Sequence, residues 1–198
     1  MIAARCGQEL KYQDLAKELG VSNLTIQSWI NLLERSQIIS LLQPYYKNLG
    51  KRIVKSPKLY FLDTGLVSYL SGNSNQDIIQ NGPMSGALFE NFVIAEIFKF
   101  FSNRGIKPPL YHFRDSQRVE VDLVIEYENR YLLFEIKSTM SPKNNHASGL
   151  NKVSKLFTNT KSYLVCNTKE QAPLSSETIA VNWLEIFSIL GNFISNDF

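Results

Sequence analysis

The stretch VEVDLVIEYENRYLLFEIKST, residues 119–139, constrains the fold more than any other part of the chain. Two runs of β-branched, aliphatic and aromatic residues flank the polar dipeptide Glu128-Asn129. Alternation of this kind around a short polar turn specifies two antiparallel strands. With Glu128-Asn129 as a two-residue loop, the pairing counted outward sets Asp122 directly across from Glu135, and a symmetric four-residue loop gives the same register. Alternation puts Val119, Val121, Leu123, Ile125 and Tyr127 on one face and Glu120, Asp122, Val124 and Glu126 on the other. Glu135 and Lys137 share a face of the second strand. Two acids and a lysine thus interrupt a hairpin that otherwise reads as core.

The surrounding sequence sets this hairpin in a mixed α/β context. GALFENFVIAEIFKFFSN, residues 86–103, repeats apolar residues at helical spacing, and LYHFR, residues 110–114, reads as a strand. Beyond the hairpin, a polar stretch over 140–145 with Pro142 inside it precedes a helix expected over 147–157. SYLVCN, residues 162–167, is a fully apolar buried strand, TIAVN, 178–182, a further one, and 183–190 a short closing helix. The order is α-β-β-β-α-β with extra elements at the end.

Upstream, YQDLAKELGVSNLTIQSWINLLERSQII reads as two helices. One spans 14–19 and ends at Gly20, which supplies a left-handed turn; the other starts after Ser22, a good N-cap, and runs to residue 34. Ala16, Gly20, Ile26 and Trp29 fall where a helix-turn-helix needs a small contact residue, a turn glycine and two buried apolar anchors. Residues 38–46 and 51–61 read as strands across the turn 47–50, which makes the block a winged helix-turn-helix. SGNSNQD, residues 71–77, is rich in small polar residues and marks a boundary. The expected organisation is a winged helix-turn-helix domain over 1–70, a linker over 71–84 and an α/β domain over 85–198.

Opposed residues on paired strands have Cβ atoms roughly 4.5–5.5 Å apart. Two carboxylates that close raise one another's pKa unless a cation sits between them. A hard divalent ion such as Mg2+, or Mn2+ in its place, takes one or two carboxylates and completes its shell with water and phosphate oxygens. Lys137, two residues beyond Glu135, reaches the same space and can stabilise developing phosphoryl charge or orient an attacking water. Glu90 lies on the helical stripe Glu90, Ile94, Ile97 and Phe101, so it is a third candidate acid on an inward-facing surface. The same residues also fit a solvated face of weak ion pairs, with Glu90 bridging to Arg114 or Arg118.

Taken together, Glu90 on a helix, Asp122 on a strand and Glu135-Ile136-Lys137 on the next strand resemble the PD-(D/E)XK nuclease superfamily. That resemblance implies a restriction-endonuclease-like αβββαβ core. It further implies one or two Mg2+ ions held by Asp122 and Glu135, with Glu90 binding or orienting the metal and Lys137 positioning the nucleophile. Val121, rather than proline, precedes Asp122. The phrases YFLDTGL, LFENFV, FRD, VEVDLVIE and FEIKS look like the C-terminal region of a bacterial and archaeal group of AAA+-type ATPases. In those proteins a P-loop domain precedes a winged helix and a nuclease-like domain. The resemblance therefore implies that this chain is the C-terminal part of such a protein, with an N-terminal ATPase domain as its natural partner.

Charge and composition narrow the remaining choices. The chain has 198 residues and a net charge of +3, which permits nucleic-acid binding without requiring it. Lys47, Lys51, Arg52, Lys55 and Lys58 cluster around the wing with no acid among them, as a phosphate-contacting surface would. Asn23, Thr25, Gln27, Ser28 and Asn31 offer polar groups along the second helix, and Lys152 and Lys155 flank the helix over 147–157, where they are placed to line a nucleic-acid groove. DNA is the expected macromolecular partner, and the sequence leaves room for a homo-oligomer. The sequence holds no GxxxxGK[ST] phosphate loop, so ATP is not expected to bind this chain in that manner. Cys6 and Cys166 form neither a disulfide framework nor a metal knuckle, and no apolar run reaches membrane-span length. A cytoplasmic setting is the expectation.

Overall fold

A computed structural model describes residues 1–46, 53–73 and 75–195. It divides the chain into two compact units, Met1–Gln43 with Lys55–Ala95, and Pro44–Val54 with Glu96–Phe198. Seven α-helices lie among the described residues, and the fold class is mixed α/β.

In the first unit, α1 (Tyr12–Leu19) and α2 (Asn23–Arg35) are joined by a tight turn. Gly20 ends α1 at φ 66°, a conformation open to glycine at little cost. Ser22 caps α2: its Oγ accepts from the Thr25 N–H at 3.1 Å. Ala16 and Ile26 are buried as expected, but Trp29 is 48% exposed and Ile30, at 2%, takes the anchor position. The stripe Ile26–Ile30, with Leu33 beside it, packs on Leu15, Ala16, Ile39 and Leu59. A one-residue rotation of the helix relative to the expected face accounts for the change.

β1 (Ile39–Pro44) and β2 (Lys58–Phe61) form the antiparallel pair expected after the helices, with Ile39 opposite Phe61. The second strand is much shorter than the sequence indicates, because residues 54–57 form no strand and Ile53 makes only an isolated bridge to Asp115. α3 (Thr64–Leu70) follows, its N-terminus capped by Asp63, whose Oδ1 accepts from Leu66 N–H at 3.0 Å. The stretch expected as a linker holds a helix of its own, α4 (Gln76–Asn81), started by Asn75. α5 (Ser85–Ser102) is continuous, with its residues up to Ala95 counted in the first unit and the rest in the second.

The second unit is built on strands β3 (Leu110–Arg114), β4 (Glu120–Tyr127), β5 (Arg130–Ile136), β6 (Thr160–Cys166), β7 (Ala172–Pro173) and β8 (Thr178–Asn182). Their order is β3-β4-β5-β6-β8-β7. β3 with β4 and β4 with β5 pair antiparallel, β5 with β6 and β6 with β8 pair parallel, and β7 pairs antiparallel with β8. The crossover from β5 to β6 contains α6 (Ser148–Val153) between two single 3-10 turns, Asn144–Ala147 and Ser154–Leu156. A 3-10 turn and α7 (Ile186–Ile194) close the unit. The parallel strand β6 buries Leu164, Val165 and Cys166 completely, which is why its sequence is a continuous apolar run rather than an alternating one.

Candidate functional site

The hairpin turn is the one that the sequence specifies. Glu128 and Asn129 both adopt positive φ, 50° and 61°, as a twist-compatible two-residue turn requires. Tyr127 pairs with Arg130, Leu123 with Phe134, and the expected register holds along the whole ladder between them. At its outer end the pattern changes. Tyr111 on β3 pairs with Val124, whereas Phe113 pairs with Val121, so Asp122 and Leu123 together occupy the place opposite His112. This is a β-bulge, an extra residue that re-aims side chains locally. It breaks the alternation expected from the sequence: Val119 and Val121 pack in the same cluster as Val124 and Leu133, not on the opposite face.

The bulge places the candidate acid. Asp122 is 5% exposed, and its Oδ2 accepts from the Ile136 N–H at 2.9 Å, so a side chain takes a donor at the end of β5. Glu135, one residue beyond the Leu123–Phe134 pair on β5, has its side chain 14% exposed and its Oε1 2.7 Å from the ammonium of Lys137, a side chain that is itself 44% exposed. Burial is the main cause that pushes the Glu135 carboxyl up to about 7; the Asp122 charge adds to it, and Lys137 opposes it. Asp122, Glu135 and Lys137 are therefore brought together, as the sequence indicates. A buried carboxylate and a largely buried one within electrostatic reach, with only oxygen donors to offer, match the donor chemistry of a hard divalent ion that keeps most of its water.

Glu90 has other partners in the first unit. Its Oε1 accepts from the Tyr60 hydroxyl at 2.5 Å and lies 3.6 Å from the Lys58 ammonium. On β3, Arg114 reaches Glu120 at 3.8 Å, across the β3–β4 pair. Among the described residues no group of three His, Cys, Asp or Glu side chains is arranged to hold a metal ion. Next to Glu90, Asn91 is fully buried and ties α5 to β2, accepting from Phe61 N–H at 2.7 Å and donating to Phe61 O at 3.1 Å.

The basic wing surface is changed as well. Lys58 is 4% exposed and engaged with Glu90, so it does not belong to a surface that meets phosphate. Lys55 is exposed, and Lys47, Lys51 and Arg52 lie outside the described residues. On α2, Asn23, Gln27, Ser28 and Asn31 are exposed.

Two residues with positional roles escape a reading of the sequence alone. Asp115 is 3% exposed, and its Oδ1 accepts from both Gln117 N–H and Val119 N–H at 2.9 Å, which folds the connection that leads into β4. Gly149 at the start of α6 lies so close to β4 that a Cβ there would sit 2.5 Å from the Glu120 carbonyl oxygen. Acidic Asp115 before a short polar loop was the available signal for the first; an isolated glycine in a helix was the signal for the second. His112 is fully buried, and His146 caps a turn by accepting from Lys143 N–H at 3.3 Å.

Among the described residues no helix is long and apolar enough to cross a membrane. Residues 1–77 match a family described as a domain of unknown function, DUF8612, and residues 85–186 match a second, DUF4143. The chain is similar to the uncharacterized protein Rv2008c of Mycobacterium tuberculosis, with 34% identity over 142 residues. It is equally similar, at 34% over 142 residues, to the uncharacterized protein Mb2031c of Mycobacterium bovis. Each match covers 72% of this chain but 31% of the relative, so the chain spans about a third of the length of the curated relatives it matches. The DUF4143 match takes in more than half of the chain, including the whole acid hairpin, and the chain belongs to the DUF4143 family.

Proposed function

We propose that the second unit hydrolyses phosphodiester bonds in DNA with the help of Mg2+ or Mn2+. In this reading the chain is the C-terminal part of an AAA+-type ATPase protein, the first unit is a winged helix and the second a PD-(D/E)XK-like domain. The observation that carries the reading is the pair of Asp122, buried at a bulge, and the largely buried Glu135, whose carboxyl feels the Asp122 charge and is bonded by Lys137. An isolated buried carboxylate is costly and two are more so, so such a pair points to a cation that the two carboxylates share. Asp122 and Glu135 hold the ion, which when bound supplies a Lewis acid for the phosphoryl group and lowers the pKa of a water. Asp122 is oriented beforehand by the Ile136 N–H, which fixes one oxygen and leaves its carboxylate set in direction. Lys137, half-exposed beside Glu135, orients the water and offsets negative charge as it develops. The curated relatives continue well beyond the matched stretch, which supports a domain that works attached to others.

The engagement of Glu90 by Tyr60 and Lys58 favours a second reading, a non-catalytic module that binds DNA or a protein and regulates an attached ATPase. The two are separated by incubating the chain with supercoiled and linear DNA plus Mg2+ or Mn2+, beside Asp122→Asn and Lys137→Ala. Cleavage by the native chain that both substitutions abolish supports hydrolysis. Cleavage that survives both comes from a contaminant, and no cleavage with either metal leaves the regulatory reading.

A further inference from the structure

A groove of about 550 Å3 opens in the second unit where the chain turns into β6, well away from the acid pair. β5 and β6 run parallel, with Thr160 level with Tyr131 and Leu164 level with Glu135. At about 3.3 Å per residue, the groove end of β6 is roughly 13 Å along the strands from Glu135. Lys155 and Lys161, both exposed, line it together with the rings of Phe157 and Tyr163 and the hydroxyls of Thr160 and Ser176. Its one carboxylate, Glu177, accepts a hydrogen bond from Ser154 Oγ at 2.7 Å, so lysines outnumber acids on its walls.

Each ring is packed against the sheet, Phe157 over the face that carries Tyr131 and Tyr163 over the face that carries Phe134, so the groove wraps the start of β6. Phe157 packs on Tyr45 and Tyr131 with centroids 5.3 and 4.8 Å away, and Tyr163 stacks on Phe134 at 5.7 Å and 25°. Rigid aromatic faces beside lysines and hydroxyls are what a single nucleic-acid strand uses, because its phosphates need cations and its bases need flat partners. A duplex presents its phosphates but keeps its base faces stacked inside, so the rings would find no partner there. A phosphopeptide is favoured by arginine forks, and no arginine lines this groove.

We infer that this groove binds a single strand of nucleic acid, with Lys155 and Lys161 on the phosphates and Phe157 and Tyr163 under the bases. The inference goes beyond hydrolysis and does not rest on the acid pair. The site lies within one compact unit and needs no metal.

The test is fluorescence anisotropy of a labelled mixed-sequence 20-nucleotide DNA strand, in EDTA, across a salt series. The chain is compared with Lys155→Glu/Lys161→Glu and with Lys155→Ala/Lys161→Ala; circular dichroism checks the fold of each. Both lysine variants are expected to weaken binding at least fivefold, and the alanine variant to reduce the slope of log K against log salt by about 1.4, at about 0.7 per cation lost on a single strand. An unlabelled duplex of the same length should compete worse than the single strand, and a phosphorylated peptide not at all. Native affinity and slope in both lysine variants, no binding of the strand, or better competition by the duplex or the phosphopeptide overturns the inference. Groove-dependent binding without cleavage would sink the hydrolysis reading alone, and cleavage with no effect of the lysines would sink the groove alone.

Discussion

Replacing Glu135 by glutamine should stabilise the chain at neutral pH, and by an amount that vanishes in acid. The carboxyl is pushed up to about 7, mainly by burial and then by Asp122, from an ordinary value of 4.5. A folded-state pKa above the unfolded one means that the native state keeps a proton the unfolded chain has already released. Stability contributed by this site therefore falls as pH rises from about 4.5 through about 7 and stays low above that. The gap is about two and a half pH units, and at 1.36 kcal/mol per unit it costs the native chain up to about 3 kcal/mol at pH 8. Glutamine keeps the shape and hydrogen-bonding capacity but carries no charge to desolvate. Some of the gain is offset by the loss of the Lys137 bond, which is modest because that ammonium is 44% exposed. Urea unfolding in EDTA at half-unit steps from pH 4 to pH 8.5 reads the difference as a shift in midpoint at constant slope. The two chains should be alike near pH 4.5, with the variant ahead by about 1–3 kcal/mol at pH 8. A difference that does not change with pH, or a variant less stable at pH 8, would refute the burial and repulsion argument.

Two further substitutions test the packing around the hairpin and the fate of Glu90. Gly149→Ala puts a methyl 2.5 Å from the Glu120 carbonyl oxygen, a backbone atom that cannot swing aside, and should cost about 1–3 kcal/mol by calorimetric melting. Lys58→Met should cost about 3–5 kcal/mol because it takes the cation from beside the Glu90 carboxylate, whereas Lys58→Met with Glu90→Gln should recover most of that loss; a double variant as unstable as the single one would show that the pair at 3.6 Å is not what holds Lys58 inside.

How far the structure was legible in the sequence depends on how local the controlling physics is. Period-two alternation and a turn whose residues tolerate positive φ act over a few residues, so the hairpin, its register and the grouping of Asp122, Glu135 and Lys137 could be read directly. The bulge could not, because it arises from how β3 pairs with β4, and nothing within residues 119–127 marks an unmatched position. Gly20 and Ser22 announced the ends of α1 and α2, yet Trp29 and Ile30 are adjacent on the helix and only packing decides which one is buried. α4 hides in a run of small polar residues because its signal is a cap at Asn75 rather than an apolar stripe. Glu90 illustrates the same limit for the site: helical spacing showed that it faces inward, but its partners, Lys58 and Tyr60, come from a strand about thirty residues earlier. Lys58 was read as one more wing cation because a basic cluster in sequence does not reveal which member turns inward.

The most direct test of a shared cation is a titration of the native chain with Mn2+, followed by water-proton relaxation and by the protons released in weakly buffered solution. One ion per chain should bind, with about half a proton released at pH 7 and almost none at pH 9, since Glu135 must lose its proton to take a metal. Asp122→Asn and Glu135→Gln should each weaken that binding at least tenfold, as expected when one of two carboxylate ligands is removed. No uptake at millimolar Mn2+, or uptake that neither substitution changes, would contradict the assignment of Asp122 and Glu135 as its ligands.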